Sequence, residues 1–138
     1  MRVAIRQIRG NSGVDVWAEN LCRGLHRAEH DCIVDLRSPV YQFLPVLARL
    51  HSPPGNCDIV HGNSWNAFAF KTNAPLVVTE HLLIHDPVYN PYRTVPQKIY
   101  HRWIYRCEKK SFEAADAVMS VSEYARKKLE ESFGFQES

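Results

Sequence analysis

Polar and apolar residues alternate through "RVAIRQI", Arg2 to Ile8, a Val- and Ile-rich pattern that predicts a first strand. Ser12-x-x-Asp15 follows and reads as a capping box. Ser12 would accept from the Asp15 amide, and the carboxylate would favour the positive helix end. Val14, Trp17, Ala18, Leu21, Cys22, Leu25 and Ala28 then recur at helical spacing, one apolar stripe along a first helix. Cys32 to Leu36 predicts a second strand. Tyr41 to Leu50 predicts a helix that is kinked at Pro45 or begins there. Asp58 to His61 predicts a third strand, followed by polar Gly62-Asn63-Ser64.

"PLVVT", Pro75 to Thr79, is apolar throughout, as expected of a strand covered on both faces, and it ends in Glu80-His81. Leu82 to Thr94 contains two prolines and no clean period, which predicts a long loop. Pro96 suits the first position of a helix reaching about Ala115, with Ile99, Trp103, Cys107 and Ala114 on one face. Ala117 to Val121 is a fifth strand. Ser122 caps a last helix, "EYARKKLEESF", which Gly134 stops.

Strand and helix alternate throughout, so the pattern predicts an α/β fold: a parallel sheet with helices on both faces. Such sheets bind ligands beyond the carboxyl ends of their strands. Asn11-Ser12-Gly13, Gly62-Asn63-Ser64, Glu80-His81 and Ser122-Glu123 all fall at those ends.

The totals narrow the class. A chain of 138 residues is one domain's worth, and 45% hydrophobic with 23% charged residues describes a folded rather than disordered chain. A formal charge of +2 does not point to nucleic acid, whose footprint is a concentrated basic face. Cys22, Cys32, Cys57 and Cys107 form no CxxC pair and read as free thiols, three of them buried, in a reducing compartment. The N-terminus has no apolar signal core, and no run is long enough to span a membrane.

Several motifs carry candidate chemistry. Gly10-x-x-Gly13 lacks the third glycine of a dinucleotide fingerprint, Asp35 is only loosely placed for a ribose contact, and no Gly-Lys-Ser/Thr follows as in a P-loop. What remains is either a tight turn or a helix N-terminus open to an anion, and the helix dipole favours the anion. His26-Arg-Ala-Glu29-His30 fits the HxxEH zinc pattern, but a third ligand is not apparent and His30 would lie at the amino end of strand two, so no metal is expected. His81 should emerge at the binding rim, either as a pKa-tuned or hydrogen-bonding site residue or as a capped loop anchor, and the site role is favoured. His61 is either a site residue or a satisfied core histidine, and His85 should be exposed in the loop. "YNPYRTVPQKIYHRWIYRCEKK" mixes aromatic and basic residues, fitting a membrane or phosphate-rich partner, although a solvated helix face accounts for most of it. "ARKKLEES" is a solvated helical face with internal charge pairs.

Taken in order, "MRVAI", "SGVD" opening "VWAENLCRGL", "HDCIVDL", "CDIVHGNS", "PLVVTEH" and "EKKSFEAADAVMSVSEYARKKL" resemble the N-terminal domain of GT-B glycosyltransferases, in particular the retaining family 4 group. The resemblance covers nearly the whole chain and is weakest from Leu82 to Val95. It implies a Rossmann-like domain over residues 1–138, one half of a two-domain enzyme whose C-terminal, donor-binding domain is not in this chain, so that this half alone would not turn over. It implies transfer of a sugar from a nucleotide-diphospho-sugar to a carbohydrate or lipid-linked acceptor, with retention and without metal or other cofactor. Carried over residue by residue, His81 would be catalytic beside the transferred sugar. Ser12 and Gly13 would meet the donor diphosphate, and Asp15, Asn63 and Glu80 would face the acceptor. The implied setting is cytoplasmic, with peripheral contact at the inner face of the membrane, and the partners include no nucleic acid.

The chain departs from the family in two places. Ser12-Gly13 stands where paired glycines are frequent, and His61-Gly62-Asn63 stands where His-x-His is frequent. The alternative reading is a non-catalytic Rossmann-like module that binds an anionic ligand or a protein partner. A small dinucleotide oxidoreductase is disfavoured by the lacking third glycine.

Overall fold

A computed structural model describes residues 1–51, 55–84 and 86–134. Five strands, β1 (Arg2–Ile8), β2 (Asp31–Arg37), β3 (Ile59–Asn63), β4 (Leu76–Glu80) and β5 (Ala117–Ser120), form one sheet in the order β2-β1-β3-β4-β5. Every pairing is parallel; Val3 pairs with Cys32 and Ile59, and Val60 with Leu76. The chain steps outward from β1 to β2, then returns past β1 to build β3, β4 and β5. The switch point therefore lies between β1 and β3, where open α/β sheets bind ligands.

Three helices cover the sheet: α1 (Gly13–Arg27), α2 (Val95–Ala114) and α3 (Glu123–Phe133). Right-handed crossovers running in opposite directions from the centre place α1 and α2 on opposite faces. On one face, Val3, Ile5 and Cys32 pack against Ala18 and Cys22 of α1, flanked by Trp17, Leu21 and Leu25. On the other, Ile8, Val60, Leu76 and Val78 pack with Cys107 and Phe112 of α2 and Leu129 of α3. The alternation within β1 explains this division, since successive side chains leave a strand on opposite faces. The fold is thus a Rossmann-like α/β sandwich.

The five strands lie where the pattern placed them, with ends shifted by one or two residues. Ser122 caps α3 by accepting from the Ala125 amide, and Gly134 closes it in the left-handed conformation at φ 70°. Elsewhere the structure corrects the sequence reading. Tyr41 to Leu50 is not an α-helix but two 3-10 turns, Pro39–Gln42 and Pro45–Leu50, because each proline removes a donor and restarts the chain. The expected loop from Leu82 to Thr94 contains a further 3-10 turn, Pro87–Tyr92. Ala67–Phe70 forms another, not anticipated. Helix α2 begins at Val95 under a capping box of Thr94 and Gln97, and its buried side carries Ile104, Cys107, Ser111 and Phe112. Ile99 and Trp103, assigned to that side by spacing, point outward. Ala28, placed on the α1 stripe, lies past the helix end and is exposed. His85 and the final "FQES" lie outside the described residues.

All four cysteines are free; Cys22, Cys32 and Cys107 are buried and Cys57 is half-buried. Among the described residues no helix is long and apolar enough to cross a membrane.

Candidate functional site

A cleft of about 470 Å³ opens at the carboxyl ends of β1, β3 and β4. Its walls include Gly10 and Ser12 from the turn after β1, Gly13 from the start of α1, Asn63 from the end of β3, Glu80 from the end of β4 and His81 just after it. Parallel strands bring these separate stretches to one rim.

The turn is built differently from the capping box expected of it. Ser12 is the N-cap in extended conformation, but its side chain makes no capping hydrogen bond. Asp15 takes over: its carboxylate accepts from the amides of Gly10 at 3.2 Å and Asn11 at 2.7 Å, and from Gln7 Nε2 at 3.0 Å. A carboxylate with two oxygens outcompetes a hydroxyl for clustered donors, and Asn11 is held in the left-handed region at φ 50° to present its amide. The clamp leaves the first turn of α1 with no side-chain cap, and Gly13 and Val14 at its tip line the cleft. Nothing lies within 4 Å of where a Gly13 Cβ would sit. Asp15 itself is spent inside the turn and is not part of the cleft wall.

His61, Thr79 and His81 share the sheet face covered by α1. His61 Nε2 lies 2.7 Å from Thr79 Oγ1, and the Trp17 ring stands edge-on to both imidazoles. Burial, with the neighbouring His81 adding to it, pushes the His61 pKa down to about 4. His61 is therefore a satisfied, neutral core histidine. Burial also lowers His81 below the ordinary histidine range. His81 Nε2 is buried with no hydrogen-bond partner among the described residues. A neutral imidazole with one unfilled nitrogen in a cleft can accept from, or donate to, a bound hydroxyl.

Glu80 is fully buried, and one of its oxygens accepts from the Leu82 amide at 2.8 Å, fixing the chain as it leaves β4. Asn63 Oδ1 accepts from the Trp65 amide at 2.9 Å, turning Trp65 into the cleft wall. Beneath Trp65 lies Glu108 of α2, whose pKa burial raises to about 8 against the opposing effect of a Trp65 hydrogen bond. Trp17, Trp65 and Glu108 went unrecognised in the sequence. Trp17 reads as core from its spacing, and Glu108 sits in a charged stretch that looks solvated.

The zinc pattern has another use. His26 Nε2 lies 3.1 Å from the Cys32 carbonyl oxygen and 3.2 Å from its amide nitrogen, tying the end of α1 to β2. Asp35 pairs with Arg6 at 2.9 Å and Arg37 at 2.7 Å. Among the described residues no group of His, Cys, Asp and Glu is placed to hold a metal ion.

Residues 35–138, well over half of the chain, match Glycosyltransferase Family 4. His81, Glu80 and Asn63 lie inside the matched span, whereas the Ser12-Gly13 turn precedes it. No curated protein and no solved structure matches the chain. Sequence match and parallel architecture agree, and the chain belongs to glycosyltransferase family 4.

Proposed function

We propose that this domain forms the acceptor side of a retaining glycosyltransferase that uses a nucleotide-diphospho-sugar. One observation carries the reading: Gly13, at the tip of α1 that no side chain caps, and His81, whose Nε2 has no hydrogen-bond partner among the described residues, line a single cleft at the sheet's switch point. In this reading the donor diphosphate meets the Gly13 amide, where the helix dipole and the lack of a side chain let phosphate oxygens approach. Ser12, extended and uncapping, has its hydroxyl available to the same group. His81 lies beside the transferred sugar and hydrogen-bonds a ring hydroxyl as positive charge builds at the anomeric carbon.

Departure of the diphosphate puts negative charge beside that amide, and its preorganisation lowers the barrier without a metal. Asn63 and Glu80 line the acceptor end, and Asp15 acts by holding the turn. The acceptor is a carbohydrate or a lipid-linked one. Turnover needs a donor-binding domain facing this cleft, so the domain by itself binds but does not transfer.

The test is an enzyme carrying this domain opposite a donor-binding domain, screened against nucleotide sugars by product release. His81→Ala should lower turnover at least tenfold, about 1.4 kcal/mol of transition-state stabilisation. Unchanged turnover in a folded variant would remove the role from His81.

A further inference from the structure

Asn63 to Phe70 carries the chain from the end of β3 through the Ala67–Phe70 turn, and every residue in it is buried except Trp65. The half-buried Trp65 lines the cleft, and both of its ends are tied down. Its amide donates to Asn63 Oδ1 at 2.9 Å, and the Ser64 amide before it donates to the Thr79 carbonyl at 3.1 Å. Its indole N–H donates to Glu108 of α2, a side chain with no exposure. Three residues along the same face of α2, Ser111 Oγ accepts from the Phe68 amide at 3.2 Å, so this helix also fixes the turn that follows.

Burying a carboxyl is costly, and burial keeps this one protonated up to about 8. A protonated carboxyl still offers its carbonyl oxygen to the indole. A tryptophan that only filled the core would need no place in the cleft wall, and one that only rimmed the surface would need no buried acceptor. The arrangement instead presents a ring of fixed orientation to a ligand.

An aromatic face carries the negative side of the ring quadrupole, so it disfavours an anion and favours the weakly positive C–H face of a sugar ring. Asn63 and Asn66 stand on either side of Trp65 in the chain and line the same cleft. Asn63 Oδ1 is engaged by Trp65, and Asn66 Oδ1 accepts from the Ile8 amide at 3.3 Å, so each side chain has its NH2 end to offer a hydroxyl oxygen. Ile8, Val14, Leu82 and Ile84 supply apolar lining. That combination suits a neutral pyranose, apolar on its face and polar around its edge. We propose that Trp65 is the surface on which the acceptor's pyranose ring stacks, with Glu108 as the positioning residue that holds the indole. The inference rests on the acceptor-side reading above, and adds the acceptor's chemical class and the residue that selects it.

The experiment records N–H correlation spectra of the isotope-labelled 138-residue chain, in which Trp17, Trp65 and Trp103 each give an indole signal. The probes are methyl α-glucoside, methyl α-mannoside, methyl α-galactoside and inorganic pyrophosphate. At least one glycoside is expected to move the Trp65 signal while Trp103, outside the cleft, stays still. Read on the Asn63 and Asn66 side-chain amides, Trp65→Ala should weaken that binding at least about tenfold, and Trp65→Phe less. Glu108→Leu removes the acceptor at similar volume, so it should hold or raise Tm and yet weaken glycoside binding severalfold. Glu108→Gln, which keeps an acceptor oxygen, should bind as the parent does. The proposal is overturned if no glycoside moves Trp65, if Trp103 moves equally, or if a folded Trp65→Ala or Glu108→Leu binds as the parent does. Loss of Tm and binding together in Glu108→Leu would make Glu108 a structural residue and overturn its part. Pyrophosphate separates this inference from the reading beneath it. A Gly13 amide that moves with pyrophosphate, while no glycoside moves Trp65, removes the stacking surface alone. Glycoside binding at Trp65 with a silent Gly13 supports the stacking surface and counts against a diphosphate at that turn.

Discussion

The Trp17 indole meets the His81 imidazole edge-on, with ring centroids 4.5 Å apart and planes at 81°. The apolar stripe of α1 thus ends at the site, and a residue that spacing assigns to the core forms one wall for a candidate catalytic ring. The backbone of His81 is set by β4, but its ring orientation depends on this neighbour. Trp17→Phe, which can keep an edge contact, should retain most turnover in the enzyme assay. Trp17→Ala should lower kcat about tenfold or more, because small misplacements of a reacting group are costly. Donor KM should change little. Steady-state kinetics check this, and equal losses in both variants would mean that the edge contact orients nothing.

His61 and Glu108 bend the pH dependence of stability in opposite directions. His61 has a pKa of about 4 in the fold against an ordinary 6.5. Between those values the unfolded chain holds a proton that the folded chain lacks, so stability is lost as pH falls, by about 3 kcal/mol in full. Glu108 holds its proton to about 8 in the fold against an ordinary 4.5, so stability is lost as pH rises through that window. Denaturant unfolding across pH separates the two. His61→Gln should gain on the parent as pH drops below 6.5. Glu108→Gln, which can still accept from Trp65, should gain as pH climbs from 4.5 toward 8. Variant and parent curves that stay parallel would refute both.

What could be read from the chain divides along the range of the forces involved. β1 and "PLVVT" declare themselves through neighbouring residues, and the Ser122 cap and Gly134 stop of α3 are complete within one turn. The shared rim of Gly13 and His81 follows from parallel alternation alone. Features set by distant partners were illegible. Arg6 is buried in β1 because Asp35 reaches it from β2 and its guanidinium sits 4.9 Å from the Phe70 ring centroid. The turn after β1 is clamped by Asp15 rather than Ser12 partly because Gln7 adds a donor from the strand. The stretch from Pro39 to Leu50 has helix-like apolar spacing, but its prolines break the backbone ladder and leave Leu44 and Leu47 exposed.

The Asp15 clamp should be measurable as stability. Asp15→Ala strands Gln7 Nε2 on a side chain with no exposure and leaves the Gly10 and Asn11 amides without their acceptor. A loss of about 2 kcal/mol is expected, the usual cost of orphaning a buried donor. Asp15→Asn keeps one acceptor oxygen and should lose less. Thermal melts decide it; an unchanged Tm for the alanine variant would show that solvent replaces the carboxylate at no cost.

One substitution made at two glycines should separate stability from ligand binding. A Cβ on Gly62 would lie 2.9 Å from Ala67 Cβ and 3.2 Å from both Ala67 Cα and the Arg6 carbonyl oxygen. Two of those atoms are backbone and cannot rotate aside, so β3 and the Ala67–Phe70 turn must part. Overpacking of this kind costs about 1–3 kcal/mol. The strain should reach the cleft as well, because Asn66, at the head of that turn, accepts from the Ile8 amide at 3.3 Å. Gly62→Ala should therefore lower Tm and weaken donor binding together. At Gly13 a Cβ meets nothing within 4 Å. Alanine is the better helix residue by up to about 1 kcal/mol, so Gly13→Ala should hold or raise Tm. If phosphate oxygens approach that amide, however, the methyl group stands in their way, and donor affinity should fall at least about tenfold, or 1.4 kcal/mol. Melting curves and donor titrations on the two variants give the answer. Intact donor binding in Gly13→Ala would mean that the diphosphate does not come to this turn.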